Sequence, residues 1–405
     1  MSESALKHIE HLSKIIGPRG STTPKEKEAH DYAQKILSDL GCDPRAEAFQ
    51  SSPSAYLPFI LALGVVLLAE AIFYFTGPTP NAPVGALAAF ALGLLVTVSA
   101  VLELMVRDNP LRWFLPVGDS RNVVGVTPAA NEPRRRVAVM AHVDSHRTPL
   151  FWRTPNTYKV YRAITALGLI GLLALDVIFL ISVFAPNAGL RTISLIPAAI
   201  IGLAWLMVLQ AHNTPFTAGA NDNASGVGVL LALAERAQRE PLPNTEVWWV
   251  ASGCEEVGVY GSADFVRRHK AELESGGLIA IDSVAGKETD LVYLHQEGLL
   301  IPKTYPASVL ARADQIARER PELKAHAFKG TTAYTDGFPA LEAGLPCLAL
   351  LNYTRDGWIP NWHNPTDVFA NVDADAVDRA ERFVWELLKA LDTPVPENEQ
   401  EVSSA

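Results

Sequence analysis

Two stretches decide how this chain is read: AHVDS, Ala141–Ser145, and GANDNASG, Gly219–Gly226. Each carries metal-ligating residue types, and they lie far apart in sequence. Much of the interval between them is two runs apolar enough to cross a bilayer. Working outward from the first stretch, the apolar run RVAVM (Arg136–Met140) reads as a buried strand. It delivers His142 and Asp144 to the carboxyl edge of a sheet, where open α/β sheets place their ligand sites. Asp144, two residues on, is placed to accept a hydrogen bond from the His142 imidazole and fix its tautomer. In the second stretch Asp222 and Asn223 precede a helix that starts near Ala224. Gly219, Ala220, Ala224, Ser225 and Gly226 let backbone and ligands approach closely, and Asn223 also reads as a helix cap.

Three further pieces have the same character. VWWVASGCEEVGVYGS (Val247–Ser262) is a buried strand ending in adjacent acids, Glu255 and Glu256. Adjacent residues leave a strand end in different directions, so one carboxylate can bind a metal while its neighbour faces water. Metal-assisted hydrolysis needs both a ligand and a free general base. LIAIDSVAG ends an apolar strand at Asp282, and NWHNPTD places His363 in a Trp/Pro-containing loop. Oxygen and imidazole donors without thiolates suit Zn²⁺, or Mn²⁺ or Co²⁺ by the same chemistry. Cys254, beside the acids, reads as a packing residue rather than a nucleophile. His146, His212, His269, His295 and His326 read as surface or loop residues, with His146 and His212 the nearest to the site.

Charged residues are 19% of the 405 and apolar residues 49%, against about 25% charged in soluble domains. The deficit is local. Tyr56–Phe75 holds one charge (Glu70), Val84–Val106 one (Glu103), Ala163–Phe184 one (Asp176) and Thr192–Ala211 none. Each run is about 20 residues, the length of a membrane-spanning helix, and short turns pair them into two hairpins. Intramembrane acids usually face a bundle interior; Glu70 and Asp176 read as inter-helix hydrogen-bonding groups. The linker 107–159 carries nine Lys or Arg, which places it in the cytoplasm. Two hairpins return the chain to its starting side. A net charge of −10 argues against a nucleic-acid partner. Three cysteines form neither a disulfide framework nor a zinc knuckle, and the N-terminus shows no secretory signal. Outside the hairpins, apolar strands alternate with helical patterns at Ala224–Gln238, Gly261–Ser275, Ala307–Glu319 and Ala374–Leu391. That alternation argues an α/β fold with a mixed, largely parallel sheet and helices on both faces.

On these five pieces, and on the opening GPRGSTTPKEKEAHDYAQKILSDLG (Gly17–Gly41), the chain resembles the di-zinc aminopeptidases of metallopeptidase family 28. The resemblance covers residues 1–50, 107–149 and 213–392 and implies a zinc exopeptidase fold. It also implies two Zn²⁺ bridged by Asp222, with Glu256 and His363 completing one site and His142 and Asp282 the other. Glu255 would be the general base and Asp144 the residue orienting His142. The chain departs from the family's pattern in the long His142–Asp222 interval, and in Gly337 where the family often has a histidine. Tyr334 and Tyr353 are the candidates for contacting substrate there. The expected organisation is N-terminal helices of the peptidase domain at 1–55, a hairpin at 56–106 and a second peptidase part at 107–159. A second hairpin follows at 160–212, the third peptidase part at 213–392 and a disordered tail at 393–405. The implied protein is a multi-pass membrane zinc metallopeptidase with its peptidase domain in the cytoplasm. It acts on peptide or amide substrates as an aminopeptidase at the lipid bilayer, whether as a monomer or a homo-oligomer. Two other readings are a deacylase of N-acyl or lipid-like amides and a non-catalytic membrane scaffold with a relict peptidase domain. Reporter fusions at residue 80 and at the C-terminus are expected to report opposite sides of the membrane; the same side for both would refute two hairpins.

Overall fold

Val137–Ala141 and Val247–Ala251 are apolar at every position rather than every second one, as in strands covered on both faces. In the computed structural model, which describes residues 2–330 and 333–393, they lie at the centre of an eight-stranded mixed sheet. The strands are β1 (Arg45–Ser51), β2 (Gly118–Thr127), β3 (Arg135–His142), β4 (Thr245–Ser252), β5 (Gly277–Ile281), β6 (Asp290–Leu294), β7 (Gln296–Glu297), β8 (Lys303–Thr304), β9 (Ala325–Phe328) and β10 (Cys347–Tyr353). The sheet order is β1-β2-β4-β3-β5-β10-β6-β9, with β7 and β8 forming a separate ribbon. The block β4-β3-β5-β10 is parallel, while β1–β2, β2–β4 and β10–β6 are antiparallel.

The helices in chain order are α1 (Ser2–Glu10), α2 (Pro24–Asp39), α3 (Leu57–Thr76), α4 (Ala82–Leu104), α5 (Pro155–Phe184), α6 (Ala188–His212), α7 (Ala224–Arg239), α8 (Tyr260–Leu273), α9 (Ala307–Glu319), α10 (Phe338–Glu342) and α11 (Ala374–Asp392). α1, α7 and α11 pack together as one group and α8 and α10 as another, and both groups reach β3. The central strand is therefore covered on both faces, as its unbroken apolar run requires. β1 and β9 do not stand out in the sequence. They are the two edge strands, and they alternate or expose residues instead of burying them all.

The chain divides into two units. One is Met1–Pro53, Gly118–His146 and Phe216–Ala405; the other is Ser54–Val117 and Arg147–Pro215. Within the first unit, both interruptions close on themselves. Ser51 at the end of β1 pairs with Gly118 at the start of β2. The Thr217 N–H donates to the His146 carbonyl at 2.8 Å. The chain leaves and re-enters at neighbouring points, so the sheet is indifferent to the length of what lies between. The expected tail, beyond residue 393, lies outside the described residues.

The second unit is a bundle with α3, α4, α5 and α6 in cyclic order. All four helices are long and apolar enough to cross a membrane. Large apolar side chains lie on the outside of the bundle as well as within it. Small residues (Ala62, Ala69, Ala86, Ala89, Ser99, Ala100) share the interior with larger ones such as Phe73, Leu175 and Phe179, while Leu68, Phe75, Leu87, Ile170, Leu173 and Ile196 face outward. Close packing through small residues is how helices associate when the surroundings are as apolar as the interior. α5 begins eight residues before the apolar run read from sequence. The Thr154 side chain and Thr157 form a capping box with Pro155 at the first position, which starts the helix in a polar stretch. The two buried acids act as expected. Ser194 of α6 donates to Glu70 of α3 at 2.7 Å, and Thr97 of α4 donates to Asp176 of α5 at 2.7 Å. Each bond joins one hairpin to the other. Thr97→Val removes the Asp176 partner and is expected to destabilise the bundle by about 0.6–1.7 kcal/mol, read by SDS titration of the detergent-solubilised protein.

Candidate active site

Parallel register gathers the chemistry. His142 ends β3 opposite Ser252 of β4, and Met140 pairs with Ala280 of β5. Three and four residues past Ser252 come Glu255 and Glu256, and one residue past Ile281 comes Asp282. All lie at the carboxyl edge of the β4-β3-β5 block. Asp222 arrives from the turn before α7. Its neighbour Asn223 caps that helix, accepting the Gly226 N–H at 2.8 Å, and its amide donates to the Ile281 carbonyl at 2.8 Å. Asn221 accepts the Ala285 N–H at 2.8 Å and Ser225 the Val284 N–H at 2.9 Å. The helix cap read from sequence is thus also a stitch between the Asp222 turn and the Asp282 turn. Gly219 has φ +57°, and a Cβ there would stand 2.8 Å from the Ser145 Cβ, so the turn requires glycine.

Ligand atoms fall into two groups. Those of His142, Asp222 and Asp282 lie within 4.8 Å of one another, and so do those of His146, Glu256 and His363. Asp222 faces both. Its Oδ1 is 3.4 Å from His142 Nε2 and its Oδ2 is 3.2 Å from His363 Nε2. His363 Nε2 is 3.4 Å from Glu256 Oε2, and His142 Nε2 is 3.8 Å from both Asp282 Oδ1 and Glu255 Oε2. His142 Nε2, Asp222 Oδ2 and Glu256 Oε1 are buried with no hydrogen-bond partner among the described residues. Buried polar atoms are otherwise almost always satisfied. Atoms of imidazole and carboxylate type left unsatisfied together fit the donor set of Zn²⁺.

His146 is the residue that sequence reading under-weighted. It is 8% exposed, and its ring stacks on His363 with centroids 3.7 Å apart. Its one sequence signal is its place four residues after His142, which carries little weight in a loop. Tyr334 and Tyr353 have partners of their own. The Tyr334 hydroxyl accepts the Leu299 N–H at 3.2 Å, and the Tyr353 ring stacks on Phe328.

Buried carboxylates hold the ligand turns by their backbone amides. Asp144 accepts the Glu255 and Glu256 N–H groups at 3.2 and 3.3 Å and the Ser21 hydroxyl at 2.6 Å. The His142 Nδ1 lies 3.2 Å from the Asp144 carbonyl and 3.5 Å from its carboxylate. Asp144 therefore positions the Glu255–Glu256 turn as well as His142. Asp367, from the NWHNPTD segment, accepts the Asn221 and Asp222 N–H groups at 2.6 and 3.0 Å. Asp336 takes the Ser252 hydroxyl at 2.6 Å. Cys254, Ser283 and His363 have φ of +55°, +52° and +53°, a conformation that costs a non-glycine residue about 1–2 kcal/mol.

The charge balance follows from burial. Burial alone would raise the Asp222 carboxyl, but the His142 and His363 imidazoles bring it well below the usual range. Burial would hold His142 neutral, yet Glu255, Asp144, Asp222 and Asp282 overcome it and raise the imidazole above its usual value. Burial lifts Glu255 well above the ordinary carboxylate range; His142 opposes this, and Asp282, Glu256 and Asp336 add to it. Glu255 therefore holds a proton more readily than a surface glutamate, as suits a general base. Asp336 is pushed up to about 7, chiefly by burial.

One buried cation stands among these acids. Arg19 is fully buried and donates to the carbonyls of Val143 (2.6 Å), Gly219 (2.7 Å), Gly17 (3.3 Å) and Ala218. It joins the loop after His142 to the loop before Asp222. Its partners are carbonyls, so its full charge remains to offset Asp367, Asp144, Asp222 and Glu256. Arg19→Met takes this donor from the Val143, Gly17, Ala218 and Gly219 carbonyls and removes its charge from among the acids. It is expected to destabilise the protein by about 3–5 kcal/mol, measured by thermal melting.

Residues 204–388 match the family model described as Peptidase family M28. Aminopeptidase YwaD of Bacillus subtilis (strain 168) is 38% identical over 71 residues, 17% of this chain and 15% of that protein. The chain thus matches a small part of the length of this curated relative. The structure resembles BSAP, a zinc aminopeptidase from Bacillus subtilis, with a TM-score of 0.58 and 15% identity over 96% of this chain and 95% of that one. It also resembles a glutaminyl cyclase from Bacteroides thetaiotaomicron (TM-score 0.57, 13% identity, 96% and 97% covered). An aminopeptidase from Aneurinibacillus sp. strain AM-1 is similar too (TM-score 0.56, 14% identity, 98% and 97% covered). These likenesses show the fold.

Proposed function

We propose that the chain is a membrane-anchored, two-zinc aminopeptidase of the kind described by peptidase family M28, whose model residues 204–388 match. The observation that carries this reading is Asp222, whose two carboxylate oxygens face imidazoles of two different ligand groups. His142 and Asp282 would hold one ion, Glu256 and His363 the other, with His146 beside the second group and Asp222 shared between them. Bound there, the pair supplies Lewis-acid polarisation of a carbonyl and lowers the pKa of water. Glu255, 3.8 Å from His142 and outside both ligand groups, takes the proton from the attacking water and passes it to the departing amine. Asp144 holds the Glu255 and Glu256 amides, so base and ligand keep a fixed relation to each other. Removal of a free N-terminal residue is the activity of the aminopeptidases whose fold this chain shares.

The four apolar helices anchor the chain in a bilayer. The basic residues of 107–159 argue for a cytoplasmic peptidase domain. Detergent-purified protein is expected to hold about two zinc per chain by elemental analysis and to cleave aminoacyl amides. Glu255→Gln should keep the zinc and lose about 10²–10⁴-fold in kcat. Full activity in Glu255→Gln refutes the mechanism. A panel of aminoacyl, N-acyl and N-terminal glutaminyl amides assigns the substrate, and turnover of N-acyl amides alone would make the chain a deacylase.

A further inference from the structure

Glu26, in the first turn of α2, is 2% exposed and lies outside both ligand groups. Four donors converge on it. Its Oε1 accepts the Cys254 N–H at 3.0 Å and the Cys254 thiol at 3.3 Å. Its Oε2 accepts the Thr22 N–H at 2.8 Å and the Ser120 hydroxyl at 2.9 Å. A buried carboxyl is costly unless it is so satisfied; burial and the nearby Asp144 raise Glu26 to about 8, and the bonds from Cys254, Thr22 and Ser120 oppose that rise.

What Glu26 grips is the point at which the chain turns. Cys254 has φ +55°, and the two residues after it are the candidate base and a candidate ligand. Three successive amides, those of Cys254, Glu255 and Glu256, donate to two buried carboxylates: Glu26 takes the first and Asp144 the other two. Asp144 is itself bonded to Ser21, five residues before Glu26. Both grips on the turn therefore come back to one short segment, Ser21–Glu26, which lies outside the stretch matching the family model. The Cys254 side chain is fully buried and directed at Glu26, which gives this cysteine an anchoring task and no exposure for chemistry.

We propose that Glu26 is a positioning residue: by fixing Cys254 in its left-handed conformation, it aims Glu255 at the reacting water and Glu256 at its ligand group. The proposal rests on the peptidase reading above for the role of Glu255, and on the hydrogen bonds alone for the geometry of the turn.

The test uses the full-length, detergent-purified, zinc-loaded protein with Glu26→Ala, Glu26→Gln and the control Glu28→Gln, which alters an exposed side chain of the same helix. Glu26→Ala is expected to lose about 10–100-fold in kcat with KM within about twofold and zinc retained. Glu26→Gln is expected to recover part of that loss: its amide oxygen can still accept the Cys254 N–H, while its NH2 then faces the Thr22 N–H that Glu26 Oε2 accepts. Co²⁺-substituted Glu26→Ala is expected to show an altered visible spectrum, since Glu256 shares the turn, and Glu28→Gln none. Unchanged kcat and an unchanged cobalt spectrum in Glu26→Ala would overturn the proposal. So would a joint loss of metal and fold that the glutamine variant fails to rescue, which would make Glu26 structural support only. If the wild type turns over no substrate in the panel, the peptidase reading fails by itself. The cobalt spectrum then decides whether Glu26 sets the turn: a shift in Glu26→Ala supports it and no shift refutes it.

Discussion

Mutual repulsion among buried acids is the constraint on which the site depends. Asp144, Asp222, Glu255, Glu256, Asp336 and Asp367 are at most lightly exposed and crowd one edge of the sheet. Like charges in a low-dielectric interior drive each other toward neutrality or apart. Burial is the largest cause of the upward displacement of Glu255, Glu256, Asp336 and Asp367, and the neighbouring acids add to it. Three things oppose it. His142 and His363 stand against Asp222. Backbone amides converge on Asp144 and Asp367. Arg19 adds a cation whose hydrogen bonds are spent on carbonyls, leaving its charge for the acids. Two divalent cations would complete the neutralisation, so a cluster costly to assemble by itself is well suited to hold them.

The same constraint explains how two long apolar hairpins can interrupt the domain. A site this exacting tolerates insertions only where they leave strand ends and ligand turns in place. The first interrupts the antiparallel β1–β2 pair, whose ends Ser51 and Gly118 are register partners, as a tight turn would leave them. The second interrupts a loop whose two ends are joined by the Thr217–His146 and Ser145–Thr217 hydrogen bonds. The interval between His142 and Asp222 is long in sequence and short across the loop's base. The entropy of closing a long loop grows only slowly with its length, and here the inserted segment has a packed bundle of its own.

The parts legible in sequence were those whose signal is local. Strand ends announce themselves by an unbroken apolar run followed by acids, as at Ala251–Glu256 and Ile281–Asp282. Membrane-length helices announce themselves by composition. The capping role of Asn223 is visible from its place before Ala224. What was not legible is whatever depends on a partner distant in sequence. Arg19, Glu26 and Asp367 look like surface residues in their own neighbourhoods, and only the fold shows that they are buried against Val143, Cys254 and Asn221. His146 reads from sequence only as a loop residue near the site because no motif surrounds it, and its burial against His363 is visible only in the fold. β1 and β9 escaped notice because an edge strand need not be apolar on both faces.

Backbone strain links these observations. Cys254, Ser283 and His363 are non-glycine residues in left-handed conformation, and each lies within two positions of a candidate ligand or is one. Glycine would relieve the strain at Cys254 but would leave the turn free to adopt other conformations. A side chain at that position keeps the turn in one state only if neighbouring bonds outweigh the local cost. At Cys254 those bonds come from Glu26, at Ser283 from Asn223, which accepts its N–H at 3.3 Å. The cost falls on the folded state and the return is a single arrangement of acids, which a two-metal centre needs because its ligand geometry tolerates little displacement.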